Sequence, residues 1–212
     1  MSQAHQPEAL LLVSNNCPHC HRMKTQLEEK YKQGLLKHID IINIEQNQAV
    51  ADKYSVRSVP WLKLGDFVFS GALTSSELDD WIAACQQPGG DQTYLQNKLE
   101  QGNLDSVIDY ISAKPSSLSA LLEVLTDDEL KMNVRIGIGA VVEHFAATPP
   151  LQQAIPLLRK LLSNSQGKNR ADVCYYLALT GRDEVHDDLK LLLDDDDREV
   201  RDIAKDALSE IE

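Results

Sequence analysis

The stretch Ala9-Leu10-Leu11-Leu12-Val13-Ser14-Asn15-Asn16-Cys17-Pro18-His19-Cys20 decides the fold of the first part of the chain. Ala9–Val13 is a short continuous apolar run, the pattern of a strand buried on both faces. Ser14-Asn15-Asn16 is a polar turn, and helical spacing then runs from His19 to Lys32, ending before Gly34. The two cysteines therefore sit where a strand hands the chain to a helix. A helix N-terminus carries unpaired N–H groups and about half a positive charge. A thiol placed there has a lowered pKa, because its thiolate is stabilised. Pro18 suits the first turn, where no N–H is needed, and His19 adds positive charge beside the thiolate. Cys20 shares a helix face with Met23 and Leu27, so it is expected to be buried while Cys17 is exposed at the tip. That asymmetry suits disulfide exchange, with Cys17 attacking a substrate disulfide and Cys20 resolving the mixed disulfide from behind.

Working outward, His38–Ile44 is Ile-rich and extended, and Gln48–Tyr54 is a short helical segment. Trp61–Leu64 and Phe67–Ser70 read as two strands around Gly65-Asp66, a hairpin signal. Ser76–Gln87 is a last helix, with Leu78, Trp81, Ile82 and Cys85 on one face. The order β-α-β, α, β-β-α predicts a small mixed sheet with helices on both faces. Other readings of the cysteine cluster compete. The run Cys17–His21 also fits the C-x-x-C-H haem-attachment pattern, which requires an exported chain. Cys17, His19, Cys20 and His21 offer soft-metal ligands, but no second cysteine pair follows at zinc-site spacing. The pair also admits a purely structural role. No metal is expected.

On these residues the first domain resembles the thioredoxin superfamily. Cys17-Pro18-His19-Cys20 has the family's C-x-x-C form, with the Pro-His pair of DsbA-type oxidases. Val56-Arg57-Ser58-Val59-Pro60 is similar to the family's cis-proline loop. Gly71-Ala72-Leu73-Thr74, followed by Leu78 and Trp81-Ile82, resembles thioredoxin's entry into its last helix. The resemblance spans residues 9–85 and implies a minimal α/β thioredoxin-like fold (βαβ-α-ββα). It also implies that Pro60 is cis and packs against the cysteine pair; an X-Pro bond is where a cis peptide costs little. It implies further that the backbone of Val59 hydrogen-bonds an extended substrate segment. The sequence departs from thioredoxin at Leu11, where that protein carries a buried acid, and at Asn16, where it carries Trp.

The 212 residues hold 33 Asp and Glu against 21 Lys and Arg, a net charge of −12. That balance argues against nonspecific nucleic-acid binding, which needs cations to neutralise phosphates. Aromatic content of 5% argues against a base-stacking platform. No apolar run is long enough for a membrane span. Met1–Leu12 has no Lys or Arg and too short an apolar stretch for a signal peptide. A cytoplasmic location is therefore expected, where cysteines are more often catalytic, metal-binding or buried than structurally bridged.

The charge divides unevenly, with 8 Lys and Arg against 10 Asp and Glu over residues 1–87 and 13 against 23 over 88–212. Between them lies Gln86-Gln87-Pro88-Gly89-Gly90-Asp91, a Pro/Gly breaker. We expect a thioredoxin-like domain over 1–87, a linker over 88–92 and an all-α domain over 93–212. Breaks at Gly102, Pro115, Thr126–Asp128, Pro149-Pro150, Ser163–Gly167, Gly181 and Asp194–Asp197 divide the second domain into about eight helices. A repeat is visible within it. Arg170 is followed by Val173 and Leu177, and Arg201, 31 residues later, by Ala204 and Leu208. A fainter copy starts at Arg135 with Ile138 and Val142. Such a period implies stacked helix pairs. Asp194–Leu208 resembles the HEAT-like repeat. The match is good over 168–212 and weaker over 129–167.

The aspartate run at Asp194–Asp197 reads as helix capping, since EF-hand spacing is absent. Cys85 and Cys174 fall at core spacing and read as inert buried thiols. Tyr175 and Tyr176 read as packing residues. No G-x-G-x-x-G or Walker A sequence appears, so no nucleotide cofactor is expected. The sequence thus points to a thiol–disulfide oxidoreductase that acts on client proteins and draws on a separate electron donor. Cys17 is its nucleophile and Cys20 its resolving thiol. His19 and Pro18 tune the pair, and Val59 and Pro60 shape the substrate groove. The acidic helical domain would dock a protein partner with a basic or mixed face. The alternative is a non-catalytic adaptor, redox-sensing or metal-binding, that uses the same fold for protein interaction.

Overall fold

The computed structural model describes residues 6–127, 129–164 and 167–211. Met1–His5, part of the stretch read for a signal peptide, lie outside the described residues, as do Asp128, Ser165 and Gln166, which fall in two of the breaks. The chain divides into two compact units between Gly90 and Asp91.

The first unit runs β1 (Glu8–Val13), α1 (Pro18–Lys32), β2 (His38–Asn43), α2 (Gln48–Lys53), β3 (Trp61–Leu64), β4 (Phe67–Ser70) and α3 (Ser75–Ala84). Its four strands lie in the order β2-β1-β3-β4. β1 pairs with β2 in parallel, and β3 is antiparallel to both β1 and β4. Side chains alternate across a strand, so the register sorts them onto two faces. Leu11 stands opposite Ile41 and Leu62, and Leu62 opposite Phe69. On that face the rings of Phe67 and Phe69 lie 5.9 and 5.1 Å from Trp81 of α3. The other face carries Leu12 and Trp61, and Tyr54, just past α2, stacks 5.1 Å from Trp61. Helices therefore cover both faces of the sheet.

Local chemistry sets the helix ends. Thr74 Oγ1 accepts a hydrogen bond from Glu77 N, while the Glu77 carboxylate accepts from Thr74 N at 2.7 Å, a reciprocal cap that starts α3. The backbone hydrogen bond from Thr74 holds Glu77 below the usual carboxylate range. The helix stops at Ala84, short of the Gln87 that spacing alone predicts. Gln86 N and Gln87 N turn instead to the carbonyls three residues back, tightening the last turn. Cys85 is consequently a half-buried C-cap rather than a core position. On α1 the buried face continues from Cys20, Met23 and Leu27 to Lys30, which is only 7% exposed. Lys30 Nζ donates to both carboxylate oxygens of Asp79, at 2.6 and 2.7 Å, and so ties α1 to α3.

The second unit is helical, with α4 (Gly90–Glu100), α5 (Leu104–Ala113), α6 (Ser117–Leu122), α7 (Met132–His144), α8 (Pro149–Gln153), α9 (Ile155–Asn164), α10 (Gly167–Ala178), α11 (His186–Leu191) and α12 (Arg198–Ile211). Gly90 and the two residues after it are thus helical, although the sequence read them as linker. Nine α-helices among the described residues replace the expected eight because α8 and α9 separate at Ala154. Pro156 is the cause. It has no N–H to bond the carbonyl four residues back, so it is accommodated only in the first turn of a new helix.

α10 packs against α7, α9, α11 and α12. The three arginines of the repeat sit on α7, α10 and α12, and Ile138, Val142, Val173, Leu177 and Ala204 behind them are fully buried. Each arginine also has a carboxylate or carbonyl waiting. Arg135 donates to Asp172 of α10, Arg170 donates in a two-pronged fork to Asp195 at 2.9 and 3.2 Å, and Arg201 donates to the Asp195 carbonyl at 2.6 Å. This arrangement is consistent with a helical repeat domain. The aspartate run serves its caps: Asp197 accepts from Glu199 N at 2.8 Å, while Asp195 and Asp196 bind Arg170. Tyr176 is buried, whereas Tyr175 is 38% exposed and donates its hydroxyl to Glu143 at 3.1 Å, so only Tyr176 is a core packing residue.

Candidate active site

The Cys17–Cys20 pair is joined in a disulfide at the start of α1. Cys17 is the N-cap of that helix: its backbone is extended, and its Sγ accepts the N–H of Cys20 at 3.1 Å. Pro18 follows in the first turn, where its missing N–H is not needed. Cys17 is half-buried, Pro18 and His19 are exposed, and Cys20 is 2% exposed. The outer sulfur is therefore the one that can meet a partner.

Further contacts hold this corner together. The turn before Cys17 is pinned to the end of β2, where Glu45 accepts from Asn15 N at 3.2 Å and from the Asn15 amide, which in turn accepts from Asn43. The Val59–Pro60 peptide bond is cis, and the Val59 carbonyl oxygen lies 3.8 Å from Cys17 Sγ. Pro60 is buried, and its carbonyl accepts from Gly71 N at 2.8 Å, which links this loop to the segment entering α3. From the α1 side, Leu73 N donates to Met23 Sδ at 3.2 Å, and the Gln26 amide bridges Leu73 O and Ser75 N, each at 3.2 Å. The structure thus brings Cys17, Cys20, Val59 and Pro60 together, with His19 exposed beside them.

Sequence reasoning missed Met23 and Gln26 as supports of this corner. Met23 looked like core and nothing more. Gln26, a polar residue beside buried Leu27, was the available signal. Leu11 is 0% exposed, so hydrocarbon fills a position where thioredoxin carries an acid. Cys85 lies with its Sγ 3.5 Å from the Leu64 carbonyl, and Cys174 is buried in the second unit. Burial pushes the Cys174 thiol up to about 12. Among the described residues no group of three or more His, Cys, Asp or Glu converges as metal ligands would. No helix among them is long and apolar enough to cross a membrane.

Residues 9–83 match the family model of the thioredoxin domain. No curated protein matches the chain. A thioredoxin-like domain with a C-x-x-C disulfide supports a role in thiol redox chemistry at the level of the superfamily.

Proposed function

We propose that this protein is a thiol–disulfide oxidoreductase that acts on client proteins in the cytoplasm and docks a protein partner on a HEAT-like helical domain. The observation that carries the reading is the placement of the two sulfurs. Cys17 Sγ caps a helix at the surface, and Cys20 lies buried behind it. In the reduced protein, the Cys17 thiolate attacks one sulfur of a client disulfide and expels the other as a thiolate. Cys20, as thiolate, then attacks Cys17 Sγ and releases the client's second thiolate. The client gains two electrons and the protein is left with its own disulfide. His19 is exposed on the same helix turn as the attacking sulfur, and the Val59 backbone offers an edge against which an extended client segment can lie. A separate electron donor regenerates the dithiol.

The test is reduction of insulin by dithiothreitol, comparing the wild type with Cys17→Ala. A rate enhancement that disappears in the variant supports the reading, and equal rates overturn it. The buried Leu11 favours a second reading, an adaptor that does not turn over, because that position holds no carboxyl to move a proton to or from Cys20. Redox titration separates the two. A pair that forms no disulfide anywhere between about −120 and −300 mV, the span of known redox proteins, supports the adaptor or a metal site.

A further inference from the structure

The segments that converge on the disulfide are 14–24, 53–60 and 70–76. Together they contain Arg22, Lys24, Lys53 and Arg57, with Asp52 and Glu77 directly at their borders. This occurs in a chain whose net charge is −12. Arg57 is exposed two residues before Val59, whose carbonyl lies 3.8 Å from Cys17 Sγ. Arg22 is exposed on α1 one turn beyond Pro18, on the same helix face. Neither arginine forms an ion pair with a carboxylate among the described residues. Four carboxylates border these segments: Glu45 held by Asn15, Asp52 by Gln48, Glu77 by Thr74, and Glu28 paired with Lys24 at 3.8 Å, so the unpaired cations nearest the disulfide in the chain are Arg22 and Arg57.

We infer that the disulfide face selects anionic clients, peptide segments whose cysteines are flanked by Glu or Asp. This inference rests on the oxidoreductase reading and adds a substrate class to it. Exposed cations without ion pairs on the segments beside a reacting sulfur raise the local concentration of oppositely charged partners and speed their encounter. A client strand laid along Val59 would bring its neighbouring side chains within reach of Arg57. A cationic segment would meet repulsion at the same place.

The full-length protein, reduced and freed of reductant, is mixed with either of two synthetic peptides. Each carries one intramolecular disulfide, flanked by Glu in one and by Lys in the other. Second-order exchange rates are measured at low ionic strength and in 0.5 M NaCl. Each rate is divided by that peptide's rate with 2-mercaptoethanol, which removes the effect of flanking charge on the leaving thiolate. The expected result is a preference of about tenfold or more for the Glu peptide at low salt. It should collapse in 0.5 M NaCl and shrink in Arg57→Glu and Arg22→Glu. Measurable exchange without that preference, or a preference that neither salt nor charge reversal alters, overturns the inference and leaves the oxidoreductase reading standing. No exchange with either peptide overturns both.

Discussion

The backbone N–H of Cys20 points at the sulfur of Cys17 from 3.1 Å, so the reacting atom is also the cap of its own helix. On reduction that N–H remains in place to donate to a thiolate, and charge-assisted hydrogen bonds are the stronger kind. Cys174 is in the opposite situation, because burial pushes its thiol up to about 12 and no solvent reaches it. A short iodoacetamide pulse on the reduced protein at pH 7 should modify Cys17 first and Cys174 last, as read by peptide mass spectrometry. Equal labelling of the two would contradict this account.

Lys30 and Asp79 should respond asymmetrically to mutation. Asp79→Ala leaves a nearly buried ammonium without its carboxylate. Lys30→Met replaces the cation with hydrocarbon of similar length among Cys20, Met23 and Leu27. Losing one partner of a buried pair costs more than replacing the charge with an apolar side chain. Because Asp79 is half exposed, we expect a loss of about 1–2 kcal/mol for Asp79→Ala and a smaller one for Lys30→Met. Urea denaturation followed by fluorescence of Trp61 and Trp81 measures both.

The helical unit should lose part of its stability in acid through Asp195. Burial alone would raise that carboxyl, but the hydrogen bonds from Arg170 and from the Asp197 backbone outweigh it and hold the pKa below its usual value. A carboxyl depressed in the folded state contributes stability above its unfolded value, about 3.9, and loses it as pH falls through the folded value. Asp195→Asn should therefore lower the urea midpoint at pH 7 by an amount worth about 2 kcal/mol. The gap to wild type should narrow as pH drops below about 4. A gap that does not change with pH would assign the loss to packing.

Gly90 is the position where an added methyl group should do most harm. A Cβ there would overlap the carbonyl oxygen of Ala84, which is backbone and cannot swing aside. At Gly137 a Cβ would meet only the tip of Leu99, at 2.9 Å, and that side chain can rotate. Gly90→Ala should lower the melting temperature by several degrees and Gly137→Ala by less. Circular dichroism of the two variants side by side decides it.

The first unit was legible because its signals are local. Gly65-Asp66 places both strands of the hairpin, and the apolar spacing of Leu78, Trp81 and Ile82 places the last helix, though not its Thr74–Glu77 cap or its first residue, Ser75. The cysteine pair could be placed at a strand–helix junction before any contact was seen. What could not be read were pairings across distance. Nothing near Arg170 names Asp195, 25 residues away, and nothing near Asn15 names Glu45. The aspartate run looked like capping alone, although two of its members also bind a repeat arginine. Lys30 was hidden for a different reason. A charged residue on an apolar stripe reads as an edge until its partner on another helix is known.

The arginine ion pairs give the helical unit a direction in time as well as in space. Arg135 looks forward in the chain to Asp172, and Arg170 to Asp195 and Asp196. During synthesis, each helix that carries one of these cations emerges before the carboxylate that will receive it. Until the aspartate run has left the ribosome, Arg170 has neither of these partners to bind. A chain cut short before Asp195 would hold Arg170 without either of these carboxylates. Such fragments should be open to proteases, and only the finished chain would close.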